Sequence, residues 1–204
     1  MYDEKPHVDF WYEFASTYSY PAAMRIEALA AARSVTIDWR PFLLGPVFAD
    51  FGWRDSPFNI YPVKGRYMWR DMRRICDSLD LPLQPPQPFP QNSLLAARIA
   101  IALRGEARAA FSKAVYRAEF GEGVTISDRT ALAALLTAIG ADADATLALA
   151  EQGVNKDRLK AECAIAKSLG LPGAPCLVTP DGEIFWGKDR LEQGLDWASA
   201  PRPA

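Results

Sequence analysis

At 204 residues, half of them hydrophobic, the chain can bury one sizeable core, as a single domain or as a domain carrying a large insertion. A formal charge of -2 and a sequence pI near 5.5 leave no basic face for nucleic acid, and no apolar run approaches the roughly 20 residues that span a bilayer. The N-terminus lacks the basic and apolar blocks of a signal peptide, so the expectation is a soluble cytoplasmic protein with neither nucleic acid nor membrane as partner.

In chain order, residues 8–14 (Val-Asp-Phe-Trp-Tyr-Glu-Phe) have the β-branched and aromatic character of a buried strand. Ser16, Thr17 and Ser19 follow, residue types that satisfy orphan N–H groups where a helix begins, and Pro21 falls in the first turn, where a missing N–H costs nothing. The Ser16 hydroxyl is thereby placed at a strand end beside a helix N-terminus, where partial positive charge stabilises an anion such as a thiolate. Taken alone, Ser16 reads more simply as a capping serine.

Residues 20–33 repeat apolar positions at helical spacing, and a second strand over 36–44 ends at Gly45-Pro46. Strand, helix, strand at this spacing is a βαβ unit with parallel strands. Residues 46–62, with Pro46, Gly52, Pro57 and Pro62 and no steady period, predict an irregular loop. Helical periodicity resumes over 63–80, with Arg66, Arg70, Arg73 and Arg74 most simply a solvated face. Residues 81–90 carry five prolines and must be extended. Helices are then predicted over 93–104, 107–119, 128–138, 142–150 and 154–169, with Asn92, Asp128 and Asp142 as caps and Gly140, Gly153 and Gly170 as stops. Strands at 176–179 and 183–186 flank Pro180-Asp181-Gly182 and predict an antiparallel hairpin, followed by a helix over 188–197 and a loose tail at 201–204.

His7 is the only histidine, which removes a Ser-His-Asp triad in its usual form and most zinc sites, so no metal is expected. Cys76, Cys163 and Cys176 are odd in number and far apart, giving neither a disulfide framework nor a C-x-x-C pair; three reduced, mostly buried thiols are expected.

This element order is that of an α/β protein with a thioredoxin-like fold and a large all-helical insertion between an N-terminal βαβ unit and a C-terminal ββα unit. Residues 1–46 and 171–204 would form the thioredoxin-like domain, and 47–170 the insertion. Gly173-Ala174-Pro175 precedes the hairpin; an X-Pro bond entering a strand can be cis at modest cost and expose the preceding main chain to an extended ligand. An ordinary trans proline opening the strand is the alternative. In this fold that proline faces the start of the first helix, here Ser16.

Through residues 14–20 (Phe-Ala-Ser-Thr-Tyr-Ser-Tyr), 64–68 (Lys-Gly-Arg-Tyr-Met), 92–95 (Asn-Ser-Leu-Leu), 171–175 (Leu-Pro-Gly-Ala-Pro) and 185–191 (Phe-Trp-Gly-Lys-Asp-Arg-Leu), the chain resembles the 2-hydroxychromene-2-carboxylate isomerases, relatives of kappa-class glutathione transferases and DsbA-type oxidoreductases. The resemblance covers nearly the whole chain. It implies that Ser16 stands where disulfide oxidoreductases keep their reactive cysteine, so that the sulfur is borrowed from glutathione and held as a thiolate by the Ser16 hydroxyl. It further implies that the Ala174 main chain beside Pro175 pairs with the cysteinyl unit of glutathione, and that Asp189, with Gly187 and Lys188, receives its γ-glutamyl end. Asn59 and Lys64 would hold the other end. The implied reaction interconverts a hydroxychromene carboxylate and a benzylidenepyruvate in aromatic degradation, by reversible addition of the thiolate to a small aromatic carboxylate substrate. Tyr18, Phe42, Phe58 and Tyr67 are candidates for an aromatic wall, though core packing explains each as well. The resemblance also implies a homodimer. Thr17 stands where many relatives have proline and Ala174 where valine is usual. A kappa-like transferase that releases its conjugate and a non-catalytic thioredoxin-like binding module are the competing readings.

Overall fold

The central strand, β1 (His7–Tyr12), buries Val8, Phe10, Trp11 and Tyr12 completely because it is flanked on both edges and covered on both faces. It pairs in parallel with β2 (Thr36–Pro41), setting Phe10 beside Trp39, and antiparallel with β3 (Cys176–Val178), which pairs in turn with β4 (Ile184–Trp186). The sheet order is β2-β1-β3-β4. The computed structural model describes residues 5–50 and 52–200, so the tail expected at 201–204 lies outside the described residues.

β1 stops two residues short of expectation. The chain turns at Glu13, whose carbonyl accepts the Ser16 N–H at 3.1 Å, and helix α1 (Ser19–Ala31) follows, returning to β2 as the βαβ pattern requires. β2 also ends early, at Pro41, and Leu44 opens a helix instead of closing the strand. The loop expected over 46–62 contains that helix, α2 (Leu44–Asp50), and a single turn, α3 (Pro57–Ile60). The prolines read as breakers sit in first turns, Pro46 in α2 and Pro57 in α3, where a missing N–H is no loss. Ser56 Oγ accepts from Phe58 N at 3.3 Å to cap α3.

The remaining helices are α4 (Pro62–Ser78), α5 (Leu94–Ala102), α6 (Gly105–Tyr116), α7 (Arg129–Ala138), α8 (Ala143–Glu151), α9 (Gly153–Ser168) and α10 (Leu191–Ser199). α6 runs on into one π-helical turn, Arg117–Gly121. Asp128 and Asp142 cap α7 and α8 through Thr130 N at 2.8 Å and Ala145 N at 2.9 Å, and Asn92 accepts from Leu94 N at 3.0 Å. Gly140 and Gly170, with φ of +78° and +73°, end α7 and α9 as expected. Gly153 does not stop a helix; it opens α9, the break being made by the extended Gln152. The hairpin closes as predicted, with Gly182 at φ +89° and its N–H on Thr179 O at 2.8 Å.

The helical segment shares its core with the sheet. Tyr12 and Ser112 hydroxyls lie 2.7 Å apart, Tyr116 donates to Glu13 O at 2.8 Å, and Arg108 donates to Trp39 O at 2.7 Å. Tyr12, Phe14, Tyr20, Tyr116 and Phe120 form a connected ring cluster between sheet and helices. Among the described residues no helix is long and apolar enough to cross a membrane.

α3 and α4 approach so closely that only glycine fits between them: a Cβ on Gly65 would lie 2.3 Å from the Phe58 carbonyl oxygen. Gly65→Ala must therefore push α3 away and is expected to cost about 1–3 kcal/mol. Gly45→Ala, with nothing within 4 Å of the added carbon, should stay within about 0.5 kcal/mol of wild type. Denaturant unfolding of the two variants checks this, and equal stabilities would refute it.

Candidate functional site

Where β1 ends and β3 begins, the sheet brings two turns together. The antiparallel register pairs Trp11 with Cys176, so the chain just after β1 must run beside the chain just before β3. There Ser16 Oγ donates to Ala174 O at 3.1 Å, across the cis Ala174–Pro175 bond. Position 16 thus meets the carbonyl of the residue just before Pro175. The expectation that Ser16, Thr17 and Ser19 cap α1 is overturned: no side chain caps this helix, and the Ser16 proton goes to Ala174 instead. The first N–H groups of α1 are taken by main-chain carbonyls instead, Ser19 N–H by Ser16 O at 3.1 Å and Tyr20 N–H by Thr17 O at 3.2 Å, so what the helix offers the Ser16 turn is the positive end of its dipole.

A cavity of about 880 Å³ opens over this pair. Ser16, Thr17 and Ala174 form one wall, and Tyr18, Phe58, Phe48 and Trp53 supply aromatic surface. Lys64, Gln91 and Asn92 bring polar groups, and Trp186 closes the rim over Gly173. Thr17 Oγ1 is buried with no protein partner.

The candidate residues are distributed unevenly. Ser16, Lys64 and Ala174 line the cavity, Lys64 with its ammonium 4.7 Å from the Tyr61 ring centre. Pro175 is buried directly behind Ala174, and its carbonyl accepts the Gly187 N–H at 2.9 Å, which ties the β4–α10 turn to this wall. Gly187 has φ +113°, and a Cβ there would meet Asp189 Oδ1 at 2.7 Å. Lys188 is half-buried and Asp189 exposed; both follow Trp186 on the rim, outside the lining. Asn59 is also outside it, exposed, with its amide donating to Asp55 and to Phe89 O at 3.1 Å. Of the aromatic candidates, Tyr18 and Phe58 line the cavity, with ring centres 6.3 Å apart. Phe42 packs in the core against Trp11, and Tyr67 is exposed beneath Arg74.

Sequence reasoning missed Glu13. Read there as one residue of a strand, it leaves the sheet at the turn and lines the cavity, with its carboxylate hydrogen-bonded by the Ser93 hydroxyl. An acidic residue between the aromatic Tyr12 and Phe14, three positions before Ser16, was the available signal. None of the cysteines competes for a chemical role: all three are buried, and burial pushes Cys76 up to about 11 and Cys176 up to about 12.

The profile of the DSBA-like thioredoxin domain matches residues 7–196. A 2-hydroxychromene-2-carboxylate isomerase from Sphingobium xenophagum is 29% identical over 187 residues, covering 91% of this chain and 94% of that protein. Glutathione S-transferase kappa 1 from Caenorhabditis elegans is 35% identical over 85 residues, which are 41% of this chain and 37% of that protein. Among solved structures, one of 2-hydroxychromene-2-carboxylate isomerase matches with a TM-score of 0.82 at 26% identity, covering 92% of this chain and 91% of that one.

The cavity's electrostatics are set by burial. Glu13 is pushed up to about 7 by its removal from water, only partly offset by hydrogen bonds from Ser93 and the Ala15 N–H. Glu119, on the π turn, has neither carboxyl oxygen partnered and is pushed well above the ordinary carboxyl range, by burial first and then by the charge of Glu13. Both groups bind protons more tightly when folded. Their contribution to stability is complete below the ordinary carboxyl pKa and is lost as pH rises through the folded value, near 7 for Glu13. Glu119→Gln should therefore gain on wild type by about 1 kcal/mol or more between pH 5.5 and pH 8. Equal differences in unfolding free energy at the two pH values would contradict this.

Proposed function

Since the chain belongs to the DsbA-like thioredoxin domain family, with serine at the position facing the cis proline, we propose that it is a glutathione-dependent isomerase of the 2-hydroxychromene-2-carboxylate type, working in the cytoplasm on a small aromatic carboxylate. The observation that carries the reading is the 3.1 Å contact between Ser16 Oγ and Ala174 O at the base of the cavity. It sets a hydroxyl beside a main chain able to pair with a peptide, in a protein whose own thiols are all held in the neutral form.

The residues present suit glutathione. At about 880 Å³ the cavity is near the upper end of the roughly 300–1,000 Å³ usual for small-molecule sites, enough for a tripeptide and an aromatic ring together. Ala174 offers main-chain groups for the cysteinyl unit, Lys64 a cation for a carboxylate, and the Gly187–Asp189 turn a carboxylate for an ammonium. When bound, glutathione supplies a thiolate that adds reversibly to a conjugated double bond, allowing rotation about it before leaving. Ser16 reaches that sulfur by turning its hydroxyl away from Ala174, and the positive end of α1 favours the charged form. Tyr18 and Phe58 cover the ring and exclude water.

A kappa-like transferase is the second reading, favoured by the 35% identical stretch shared with glutathione S-transferase kappa 1. The two differ in whether the adduct is released. Incubating protein and glutathione with a benzylidenepyruvate, and separately with an activated aryl halide, distinguishes them by mass spectrometry: a rearranged substrate with glutathione returned supports the isomerase, a stable conjugate the transferase. Ser16→Ala should slow isomerisation about 10- to 100-fold, the worth of one hydrogen bond to a charged group, without loss of fold. An unchanged rate would remove Ser16 from the chemistry.

A further inference from the structure

Building on the glutathione reading, we propose that Glu13 is the proton acceptor and donor of this cavity, taking the thiol proton of the bound tripeptide and returning it when the sulfur is released. Glu13 stands at the turn out of β1, three residues before Ser16, and both line the same cavity. The residue is 5% exposed, and the donors to its carboxylate, the Ser93 hydroxyl and the Ala15 N–H, are both neutral. The titratable groups that feel its charge are Tyr116 and Glu119 from α6 and its π turn and Cys163 from α9. None is a cation. Arg54, Asp55 and Lys64 line the cavity from the α2–α4 side and are not among the groups that shift it.

A carboxylate so buried, in no ion pair among the described residues, is costly to keep and gains by accepting a proton. The thiol of a peptide lying along Ala174 is the available source. The S–H bond breaks and leaves its electron pair on sulfur, while a carboxylate lone pair forms an O–H bond at Glu13; the reverse step restores both. The pair formed by the Glu13 carboxyl and the thiol carries one negative charge throughout. That charge moves from a site with two neutral donors to one beside Ser16 and the positive end of α1. A carboxyl pushed up to about 7 is matched to a thiol whose unperturbed pKa is about 8.5, so the proton can pass either way. Glu119, also raised by burial and then by the charge of Glu13, has no partner among the described residues for either carboxyl oxygen.

Calorimetry of glutathione binding near pH 8, in buffers of different ionisation enthalpy, gives the protons released; the ultraviolet difference spectrum gives the thiolate formed. Wild type should form thiolate with almost no net proton release, whereas Glu13→Gln should either form none or release close to one proton for each thiolate formed. Ser93→Ala keeps the carboxyl but removes a donor to its charged form, so the acid limb of the thiolate signal should move to higher pH. Proton release by the wild type, thiolate without release in Glu13→Gln, or an unmoved limb in Ser93→Ala would each overturn the role of Glu13 while leaving glutathione binding intact. A wild type that gives neither heat nor thiolate signal overturns the glutathione reading and this proposal together.

Discussion

The register of β3 against β1 fixes the site. With Trp11 opposite Cys176, the turn after β1 and the turn before β3 have to share one end of the sheet, and the Ser16–Ala174 hydrogen bond closes the gap between them. A slip of one residue would reverse every side chain on β3 and carry Ala174 away from the first helix. The register is held by core packing, since Leu177 and Cys176 are as deeply buried as Phe10 and Trp11. The Gly187 N–H on Pro175 O then brings the β4–α10 turn to the same wall. Three segments distant in sequence therefore meet as a consequence of strand pairing.

Charge at this wall follows from depth. The apolar environment that keeps Cys76, Cys163 and Cys176 protonated also raises Glu13 and Glu119. Next to Ser16 the countervailing influence is the positive end of the α1 dipole, with Arg54 and Lys64 lining the same cavity. In such a setting an anion is most favourable at the helix terminus and least favourable a few ångströms deeper. A sulfur carried in by a ligand can use the first location, whereas none of the chain's own sulfurs stands there.

Much of the fold was legible because its elements carry strong local signals: the aromatic run of β1, the Gly182 turn, and the aspartates before α7 and α8. The thioredoxin-like order followed from those. Prolines misled the reading of 46–62, because Pro46 and Pro57 serve first turns as readily as they break helices, and Gly153 likewise opens α9. At the site, Ser16 and Pro175 were legible as a pair because their type and position depend on the strand ends. Hydroxyl side chains near a helix start suggested caps, yet the nearer carbonyl of Ala174, supplied by a segment 158 residues away, took the Ser16 proton. Glu13 was hidden for a related reason: its burial and its bond to Ser93 arise from tertiary packing that no local pattern encodes. Asn59 and Phe42 could be weighed by type only, and side-chain direction decided their places.

The most direct test is a crystal structure of the protein with glutathione bound. The account predicts the cysteinyl sulfur within hydrogen-bonding distance of Ser16 Oγ and the cysteinyl main chain paired with that of Ala174. A tripeptide seated elsewhere, or a sulfur pointing away from position 16, would contradict it.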